Sequence, residues 1–313
     1  MAARVAAQRK SPVWAGIAVS NPDKLMYPAA GFTKADVVAY YVAVAPYMLP
    51  HLRGRPVTLK RYPDGVGGKF FYEKDAPAHT PAWVKRFPVP RQRGGPDIQY
   101  IVIEDVRTLA WCANLASLEI HPFLHRVPAL DVPTAVVFDL DPGPRTDVVT
   151  CAEVGFLLKG LLDRLELQAF PKVSGSKGIQ VYVPLNTAVT YAESQPFART
   201  VAEWLEREHP RLITADMAKS RRSGRVFIDW SQNAPHKTTV AVYSLRAKRE
   251  RPFVSMPVTW EELRRAIRAG DGRRLYFEPR AARARLARHG DRYRPVLTLE
   301  QALPRQFTSR LAG

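Results

Sequence analysis

Two aspartates, Asp139 and Asp141, stand one residue apart at the end of an apolar run over residues 134–140. The run has the composition of a buried strand, and side chains two positions apart on a strand point to the same face. Both carboxylates therefore share one face, while Leu140 points into the core. Carboxylate oxygens are the ligands that Mg²⁺ and Mn²⁺ prefer, so the pair predicts a platform for divalent metal ions.

A third carboxylate, Asp229, follows the apolar strand candidate 226–228. An unpaired carboxylate would be costly to bury there, which favours a functional role. With Asp139 and Asp141 it could hold two ions about 4 Å apart, one activating an attacking oxygen and one stabilising the leaving oxygen. The competing interpretation is an Asp that caps a turn at 231–233.

The segment Ser-Gly-Ser-Lys-Gly at 174–178 lies between two strand candidates, 169–173 and 179–185. Glycine permits backbone N–H groups to converge in such a turn, and Lys177 adds a point charge for a phosphate. The Walker A pattern is absent. An ordinary hairpin turn is the alternative interpretation.

The elements that must position these residues follow from hydrophobic periodicity. Helical spacing predicts helices over 33–49, 104–117, 147–165 and about 195–208, and strands are predicted over 56–62, 118–122, 134–140, 169–173, 179–185 and 226–230. Periodicity alone leaves α/β and α+β classes open. Three consecutive aromatics at 70–72, beside Lys69 and Lys74, fit either base stacking or burial of one or two rings.

The charge balance favours a polyanionic partner. The chain has 47 Lys and Arg against 29 Asp and Glu, a net charge of +18. Binding of such a surface to a nucleic acid is stabilised by the release of counterions. Arg-rich proteins encoded by GC-rich genomes have a similar composition. Residues 261–294 hold 11 Arg against 5 acidic residues and are expected to pack back on the core or to contact backbone phosphates.

Several protein classes are disfavoured. No apolar run approaches the roughly 18 residues of a membrane span, and no secretory signal is recognisable, so a cytoplasmic protein without membrane partners is expected. The only cysteines, Cys112 and Cys151, cannot form a disulfide framework or a Cys-based zinc site. Both are expected to be buried thiols.

In order and spacing, these segments resemble the polymerase domain of bacterial DNA ligase D, a member of the archaeo-eukaryotic primase superfamily that serves non-homologous end joining. The resemblance covers roughly 225 residues, from Asn21 to about Arg246. The matching segments are NPDKLMYP at 21–28, TKAD at 33–36, GRP at 54–56, KRYP at 60–63, LEIH at 118–121, FDLDPG at 138–143, SGSKG at 174–178, FIDWSQN at 227–233, KTT at 237–239 and YSLR at 243–246.

The resemblance implies an α+β primase-polymerase fold, in which an antiparallel, RRM-like catalytic sheet is flanked by helices and joined by a smaller N-terminal α/β layer. Residues 1–20 would be an N-terminal extension and 21–256 the catalytic unit. Within that unit, the N-terminal layer would span about 21–130 and the RRM-like core about 131–256. Residues 257–313 would form the basic appendage packed on the core.

The resemblance also implies roles for particular residues. Asp139, Asp141 and Asp229 match the metal-binding triad. The positions that match the surroundings of the incoming nucleotide are His121, Ser174, Ser176, Lys177, Arg222, Gln232 and Arg246. Lys24 and Lys34 match positions that hold a 5′-phosphate, and Lys60, Arg61, Phe71 and Tyr72 match the region where template bases stack. Gln180 is a departure, since many members carry His there.

The implied function is template-dependent nucleotidyl transfer in DNA repair. A primer 3′-hydroxyl would attack the α-phosphate of an NTP or dNTP, ribonucleotides being preferred, with two Mn²⁺ or Mg²⁺ ions neutralising charge and Lys177 and Arg246 guiding the pyrophosphate. The implied partners are DNA with gaps or broken ends, especially with a 5′-phosphate, bacterial Ku and a DNA ligase. The chain has no K-x-D-G ligase motif, so a standalone polymerase or an excised domain is expected.

Two alternatives compete with this function. One is a non-catalytic module that bridges DNA ends, for which loss of an aspartate at 139, 141 or 229 would be the signature. The other is a haloacid dehalogenase phosphatase, whose strand also ends in Asp-x-Asp with the first Asp as nucleophile. Those enzymes have Thr or Val after one more residue, whereas Pro142 and Gly143 follow here.

Overall fold

A computed structural model describes residues 12–92 and 94–304 of the chain. Within these residues there are seven α-helices: α1 (Lys34–Leu52), α2 (Val106–Asn114), α3 (Val148–Arg164), α4 (Tyr191–Glu208), α5 (Trp260–Ala269), α6 (Pro279–His289) and α7 (Pro295–Thr298). The strands are β1 (Val13–Trp14), β2 (Ile17–Ala18), β3 (Leu25–Tyr27), β4 (Phe32–Thr33), β5 (Pro56–Arg61), β6 (Phe71–Glu73), β7 (Arg86–Val89), β8 (Ile98–Val102), β9 (Ser117–Pro122), β10 (His125–Arg126), β11 (Ala129–Pro133), β12 (Ala135–Pro142), β13 (Phe170–Val173), β14 (Ile179–Pro184), β15 (Ile213–Thr214), β16 (Val226–Asp229), β17 (Leu245–Arg246), β18 (Phe253–Val254) and β19 (Met256–Pro257).

The N-terminal layer is an antiparallel sheet built around β5, which pairs with β6, β8 and β9. Helices α1 and α2 pack against each other beside this sheet. A capping box between Thr33 and Asp36 fixes the start of α1. The buried hydroxyl of Tyr41 on α1 donates to the Leu118 carbonyl of β9 at 2.9 Å, which ties the helix to the sheet.

The second layer is a six-stranded sheet in the order β15-β16-β12-β14-β13-β19. Every pairing in it is antiparallel except β15 with β16. Helices α3 and α4 pack against the central strand β12. Leu140 is fully buried, and its carbonyl accepts a hydrogen bond from the Cys151 thiol of α3. The neighbouring positions 139 and 141 therefore face away from α3, as the strand period predicts.

The C-terminal part of the described chain packs on both layers. Strand β19 extends the six-stranded sheet, α5 packs on α3, and α6 packs on α1. The Arg285 guanidinium of α6 forms a two-pronged ion pair with Glu262 of α5, at 2.6 and 2.7 Å. This pair joins the two helices that contact different layers.

Most element predictions are confirmed, including the hairpin turn at 174–178 and the burial of Cys112 and Cys151. The fourth helix begins at Tyr191, four residues before the predicted start, because Thr190 and Glu193 form a capping box there. Antiparallel pairing decides the open question of class in favour of α+β. Over the described ranges, no helix is long and apolar enough to cross a membrane.

The turn at 174–178 packs closely on strand β12, so substitution of Gly178 should destabilise the protein. A Cβ at this position would lie 2.1 Å from the Leu140 carbonyl oxygen, a backbone atom with little freedom to move. We expect Gly178→Ala to lower the free energy of unfolding by about 2 kcal/mol. Urea unfolding at pH 7 measures the change.

Gly160→Ala is the matched control. Gly160 is exposed on α3, and nothing lies within 4 Å of a Cβ built there. Alanine favours a helix by up to about 1 kcal/mol over glycine, so this variant should be more stable than the unsubstituted protein. Equal stability of the two variants would contradict the predicted contact.

Candidate active site

A row of polar side chains crosses the six-stranded sheet at Asp139. Asp139 of β12 lies directly opposite Gln180 of β14 on one side and directly opposite Asp229 of β16 on the other. Asp141, two residues further along β12, lies opposite Phe227. Strand pairing thus brings the three predicted carboxylates together on one face of two neighbouring strands.

Local hydrogen bonds orient two of the three carboxylates. Asp229 Oδ1 accepts from the Ser231 N–H at 3.0 Å and from the Ser231 hydroxyl at 2.6 Å, and its Oδ2 accepts from Gln232 Nε2 at 2.8 Å. Asp139 Oδ2 accepts from Gln180 Nε2 at 3.0 Å. Asp229 therefore also caps the turn that follows it, as in the competing interpretation of the sequence.

The carboxylates are close enough to interact electrostatically. Burial raises the pKa of Asp139, and the charges of Asp141 and Asp229 raise it further. Such a rise is expected where several carboxylates share one place without a cation between them. A bound divalent ion would supply that cation.

The donor atoms fit a hard divalent cation, but they are not gathered into a closed ligand set. In residues 12–92 and 94–304, no group of three or more His, Cys, Asp or Glu side chains forms a metal-binding cluster. Both oxygens of Asp229 are engaged by its own turn. Asp139 Oδ1 and the Asp141 carboxylate accept no hydrogen bond within the same residues. Asp229 would have to exchange its turn hydrogen bonds to share an ion with them.

The turn at 174–178 is held by Ser174. The Ser174 hydroxyl accepts from the N–H groups of Ser176 and Gly178, each at 3.2 Å, and the Ser174 N–H donates to the Gly178 carbonyl at 2.9 Å. From the C-terminal side, Arg249 Nε donates to the Ser176 carbonyl at 2.9 Å. Ser174 thus shapes the turn, and Lys177 is left exposed at its tip.

A buried carboxylate, Glu119 on β9, collects cations from three segments. Its oxygens lie 2.9 Å from His121 Nε2, 3.5 Å from Lys60 Nζ and 3.5 Å from Arg246 Nε, and they accept from the Ala247 N–H at 3.1 Å. Burial alone would raise the pKa of Glu119, but Arg246, His121 and Lys60 hold it well below its usual range. Two permanent cations and a histidine thus surround one carboxylate, so the cluster can accept a further anion.

Arg222 and Gln232 lie close to the carboxylates of Asp141 and Asp229. The Arg222 guanidinium stacks on Phe227, 3.7 Å from the ring centre, and donates to the Met217 carbonyl. Desolvation in the cleft raises the pKa of Asp141, while the charges of Lys248, Arg222 and Arg246 oppose the rise. These three cations therefore face Asp141. Gln232 contacts Asp229 directly.

A cleft of about 520 Å³ opens between the two layers. Its lining includes Lys60, Tyr62 and Phe70 from the N-terminal layer and Asp141, Lys177 and Lys248 from the second layer and its connections. Cationic and aromatic groups thus line this cleft together with the Asp141 carboxylate. Such a lining suits a nucleotide, which presents both phosphates and a flat base.

None of the three consecutive aromatics enters the core. Phe70, Phe71 and Tyr72 are 50%, 44% and 53% exposed, because β6 is a short strand at the sheet edge. Lys60 Nζ lies 4.1 Å from the ring centre of Phe70, and the Arg61 guanidinium lies 5.2 Å from that of Phe71. Lys60 is itself buried, so its ammonium group contacts the aromatic rings from the protein side.

The predicted 5′-phosphate residues form a second cationic cluster, which includes Arg61. Lys34 is buried and donates to the Ser20 hydroxyl at 2.8 Å. Burial, together with the nearby charges of Lys24 and Arg61, lowers the pKa of Lys34 to about 8. Lys24 pairs with Asp64 at 2.8 Å. Arg61, expected beside the template bases, therefore belongs to this cluster as well.

Sequence reasoning missed Glu119 and Lys248. Glu119 is the one acidic residue in the strand predicted at 118–122, and an acidic residue in an apolar strand was also the signal that singled out Asp229. Lys248 lies in a run of charges after Arg246, and nothing local separates it from its neighbours. Only the fold turns Lys248 toward Asp141.

Comparisons with known proteins agree with this geometry. A family model described as the LigD primase-polymerase domain matches residues 33–293. The chain is 43% identical over 249 residues to the multifunctional non-homologous end joining protein LigD of Mycolicibacterium smegmatis. This chain belongs to the LigD primase-polymerase domain family. As a LigD primase-polymerase domain, it is a nucleotidyltransferase.

Other LigD relatives lead to the same family. The bifunctional non-homologous end joining protein LigD of Bacillus subtilis is 33% identical over 261 residues. The polymerase domain from Mycobacterium tuberculosis ligase D, solved in complex with DNA, matches with a TM-score of 0.83 and 39% identity, covering 90% of this chain and 98% of that one. The α+β primase-polymerase fold expected from the sequence is thereby confirmed.

The LigD family model extends further toward the C-terminus than the motifs recognised in the sequence, which end at about residue 246. The family model continues to residue 293 and so includes much of the basic segment that begins at 257. The aligned region covers 79% of this chain but 32% of the M. smegmatis protein, and 83% of this chain but 41% of the B. subtilis protein. The chain thus spans well under half the length of these relatives.

The buried cluster around Glu119 predicts a pH-dependent loss of stability in Glu119→Gln. Removing this charge leaves Lys60 and Arg246 buried without their counterion, so we expect a loss of about 3 kcal/mol at pH 7. Because the folded-state pKa of Glu119 is lowered, its contribution is present above the unfolded value of about 4.3 and is lost as the pH falls below it. Urea unfolding at pH 7, 5 and 3.5 measures the difference.

Glu153→Gln provides the control for that experiment. Glu153 is exposed on α3 and has no ion pair within the described residues, so its replacement should change stability by less than about 0.5 kcal/mol. A Glu119→Gln deficit that stays constant from pH 7 to 3.5 would show that the cations do not depend on the carboxylate charge.

Proposed function

We propose that this protein is a template-dependent polymerase of DNA repair that adds nucleotides to primer 3′ ends at gaps and double-strand breaks in non-homologous end joining. One observation carries the proposal: Asp139, Asp141 and Asp229 lie on one face of two paired strands, beside a cleft lined by cations and aromatic rings. The family and the DNA complex of the M. tuberculosis domain support it.

The three aspartates would hold two divalent ions, Mn²⁺ or Mg²⁺. When bound, such ions neutralise charge on the reacting phosphate and lower the pKa of an attacking hydroxyl. The protein's part is to keep the carboxylate oxygens on one face of two paired interior strands. Asp139 Oδ1 and the Asp141 carboxylate accept no hydrogen bond within the described residues, whereas Asp229 would release Ser231 or Gln232.

The triphosphate of an NTP or dNTP would lie against the buried cations. The Nε–H groups of Arg246 and Arg222 are buried without a hydrogen-bond acceptor in the described part of the chain. Such donors are costly to leave unpaired, and phosphate oxygens would satisfy them. Lys60 adds to the positive field around Arg246, while Lys177 at the exposed turn would hold the leaving pyrophosphate.

DNA would contact the N-terminal layer. Lys24, Lys34 and Arg61 form a cationic cluster suited to a terminal 5′-phosphate. The exposed rings of Phe71 and Tyr72 offer faces for template bases, since base–aromatic stacking tolerates any sequence. DNA with gaps or broken ends and a 5′-phosphate is therefore the proposed substrate.

Further features of the proposal come from the family resemblance. We infer a preference for ribonucleotides, cooperation with bacterial Ku and a DNA ligase, and a place in the cytoplasm on the nucleoid. The proposed organisation is an N-terminal extension at 1–20, a catalytic unit at 21–256 and a basic appendage at 257–313 that packs on it. The packing of α5 on α3 and of α6 on α1 supports the last of these.

Loss of a metal-binding carboxylate should abolish nucleotide addition without weakening DNA binding. We expect Asp139→Ala to reduce primer extension by about a thousandfold, because several kcal/mol of charge stabilisation are lost. The assay extends a primer across a short gap with NTPs or dNTPs and with Mn²⁺ or Mg²⁺. Fluorescence anisotropy measures DNA affinity on the same substrate.

Asp163→Ala is the matched control, because Asp163 is exposed on α3 and, among the residues the structure describes, its side chain pairs with Lys159 alone. It should extend the primer like the unsubstituted protein. Tight DNA binding by the unsubstituted protein with no incorporation under any nucleotide or metal would overturn the polymerase proposal. That result would leave the module that bridges DNA ends.

The lowered pKa of Lys34 predicts a pH-dependent preference for a 5′-phosphate. The amine binds phosphate in its charged form, which is lost as the pH rises through about 8. Between pH 7.5 and 9.5 the phosphate stays doubly charged, so the preference should fall by up to about tenfold. The ratio of DNA affinities with and without the 5′-phosphate measures it.

Lys34→Arg is the control for this pH effect, because a guanidinium stays charged over the whole range. Its preference for the 5′-phosphate should be nearly constant from pH 7.5 to 9.5. A preference that is equally flat in the unsubstituted protein would exclude Lys34 as the phosphate ligand.

A further inference from the structure

A buried lysine lies in line with the carboxylates, two strands away from Asp139. Lys172 of β13 has no exposed surface, and its ammonium group contacts three oxygens: Gln180 Oε1 at 2.6 Å, the Ser255 hydroxyl at 2.7 Å and the Val240 carbonyl at 3.1 Å. An ammonium group has three N–H donors and no acceptor. The three oxygens therefore use its whole hydrogen-bonding capacity.

Lys172 fixes the orientation of the Gln180 amide. Since an ammonium group can only donate, the oxygen of the amide must face Lys172 and the NH₂ group must face the other way. Gln180 Nε2 accordingly donates to Asp139 Oδ2 at 3.0 Å. Without the lysine, either end of the amide could face Asp139, and its oxygen would repel the carboxylate.

Strand pairing makes this chain of contacts continuous. Lys172 lies directly opposite Gln180, Gln180 opposite Asp139, and Asp139 opposite Asp229. Four neighbouring strands thus present one row that begins with a cation and ends with two carboxylates. Lys172 and Gln180 form its supporting half.

The row determines which oxygen of Asp139 is available. Oδ2 is held by Gln180, whereas Oδ1 accepts no hydrogen bond in the described residues. Burial lowers the pKa of Lys172 well below its usual range, while Asp139 acts in the opposite direction. The three acceptors around the nitrogen are what the charged form requires.

We propose that Lys172 and Gln180 are positioning residues that hold Asp139 Oδ2 and so present Oδ1 to a divalent ion. The proposal rests on the proposed function of Asp139 as a metal ligand. Neither residue touches substrate. Groups that orient a metal ligand in this way commonly change metal affinity by tenfold to a hundredfold when they are removed.

The competing explanation is purely structural. Lys172 also joins β13 to the segments of Val240 and Ser255, and a buried cross-link of this kind could serve stability alone. Ser255→Ala separates the two explanations, because it removes one acceptor of Lys172 but leaves the contact between Gln180 and Asp139 in place. It is the matched control.

The test measures binding of Mn²⁺ alone to the full chain, by electron paramagnetic resonance of the free ion. Gln180→Met keeps the side-chain length, Lys172→Met shortens it by one atom, and both remove the polar contacts. We expect each variant to bind Mn²⁺ at least about tenfold more weakly. The double variant should lose no more than the larger single loss, because both act through one contact. Ser255→Ala should bind Mn²⁺ like the unsubstituted protein.

Each other outcome has a definite meaning. Unchanged Mn²⁺ affinity in both methionine variants, with lowered stability in all three single variants, would overturn the positioning role and leave Asp139 as a ligand. Mn²⁺ binding that is insensitive to Asp139→Ala would overturn the proposed metal centre together with the positioning role. If Lys172→Met does not fold, Gln180→Met alone decides, because it leaves the ammonium its two other acceptors.

Discussion

Two carboxylates, Asp139 and Asp229, face each other across a pair of hydrogen-bonded strands. Like charges in such a position repel, and burial of Asp139 strengthens the repulsion. The fold nevertheless keeps the two carboxylates opposite each other, and the neighbouring residues offset their repulsion. Gln180 and Gln232 donate to the two carboxylates, and cations lie behind and beside the row.

The cluster around Glu119 has the opposite imbalance. There one buried carboxylate faces Lys60, Arg246 and His121, so positive charge is in excess. The two clusters lie on either side of one cleft, one with surplus negative charge and one with surplus positive charge. A complex of divalent ions with a triphosphate carries both complementary charges. Under the proposed function, the ions and the nucleotide would therefore bind together more readily than either alone.

The C-terminal segment contributes to this arrangement through contacts with the site. Arg249 donates to the carbonyl of Ser176 in the turn at 174–178, and Ser255 accepts from the buried Lys172. Strand β19 completes the edge of the catalytic sheet. This agrees with a family match that continues to residue 293. The basic composition of the segment alone gave no indication of these contacts.

The amino-acid sequence by itself determined four of the described helices, six of the described strands, the shared face of Asp139 and Asp141, the turn at 174–178 and, through the order of its motifs, the family. These features depend on residues close together in the chain, whose periodicity fixes their geometry. Most α-helices lie where the sequence predicts them for the same reason. Conversely, Phe70 to Tyr72 could not be placed from alternation, because exposure at a sheet edge depends on which strands pair.

Only the tertiary structure decided which distant residues meet. The partners of Glu119 come from β5, β9 and β17, and Lys34 owes its lowered pKa to burial near Lys24 and Arg61. The amide of Gln180 is oriented by a lysine on the next strand. Strand register and helix packing set such contacts between segments far apart in the chain, and a local pattern of residues does not encode them.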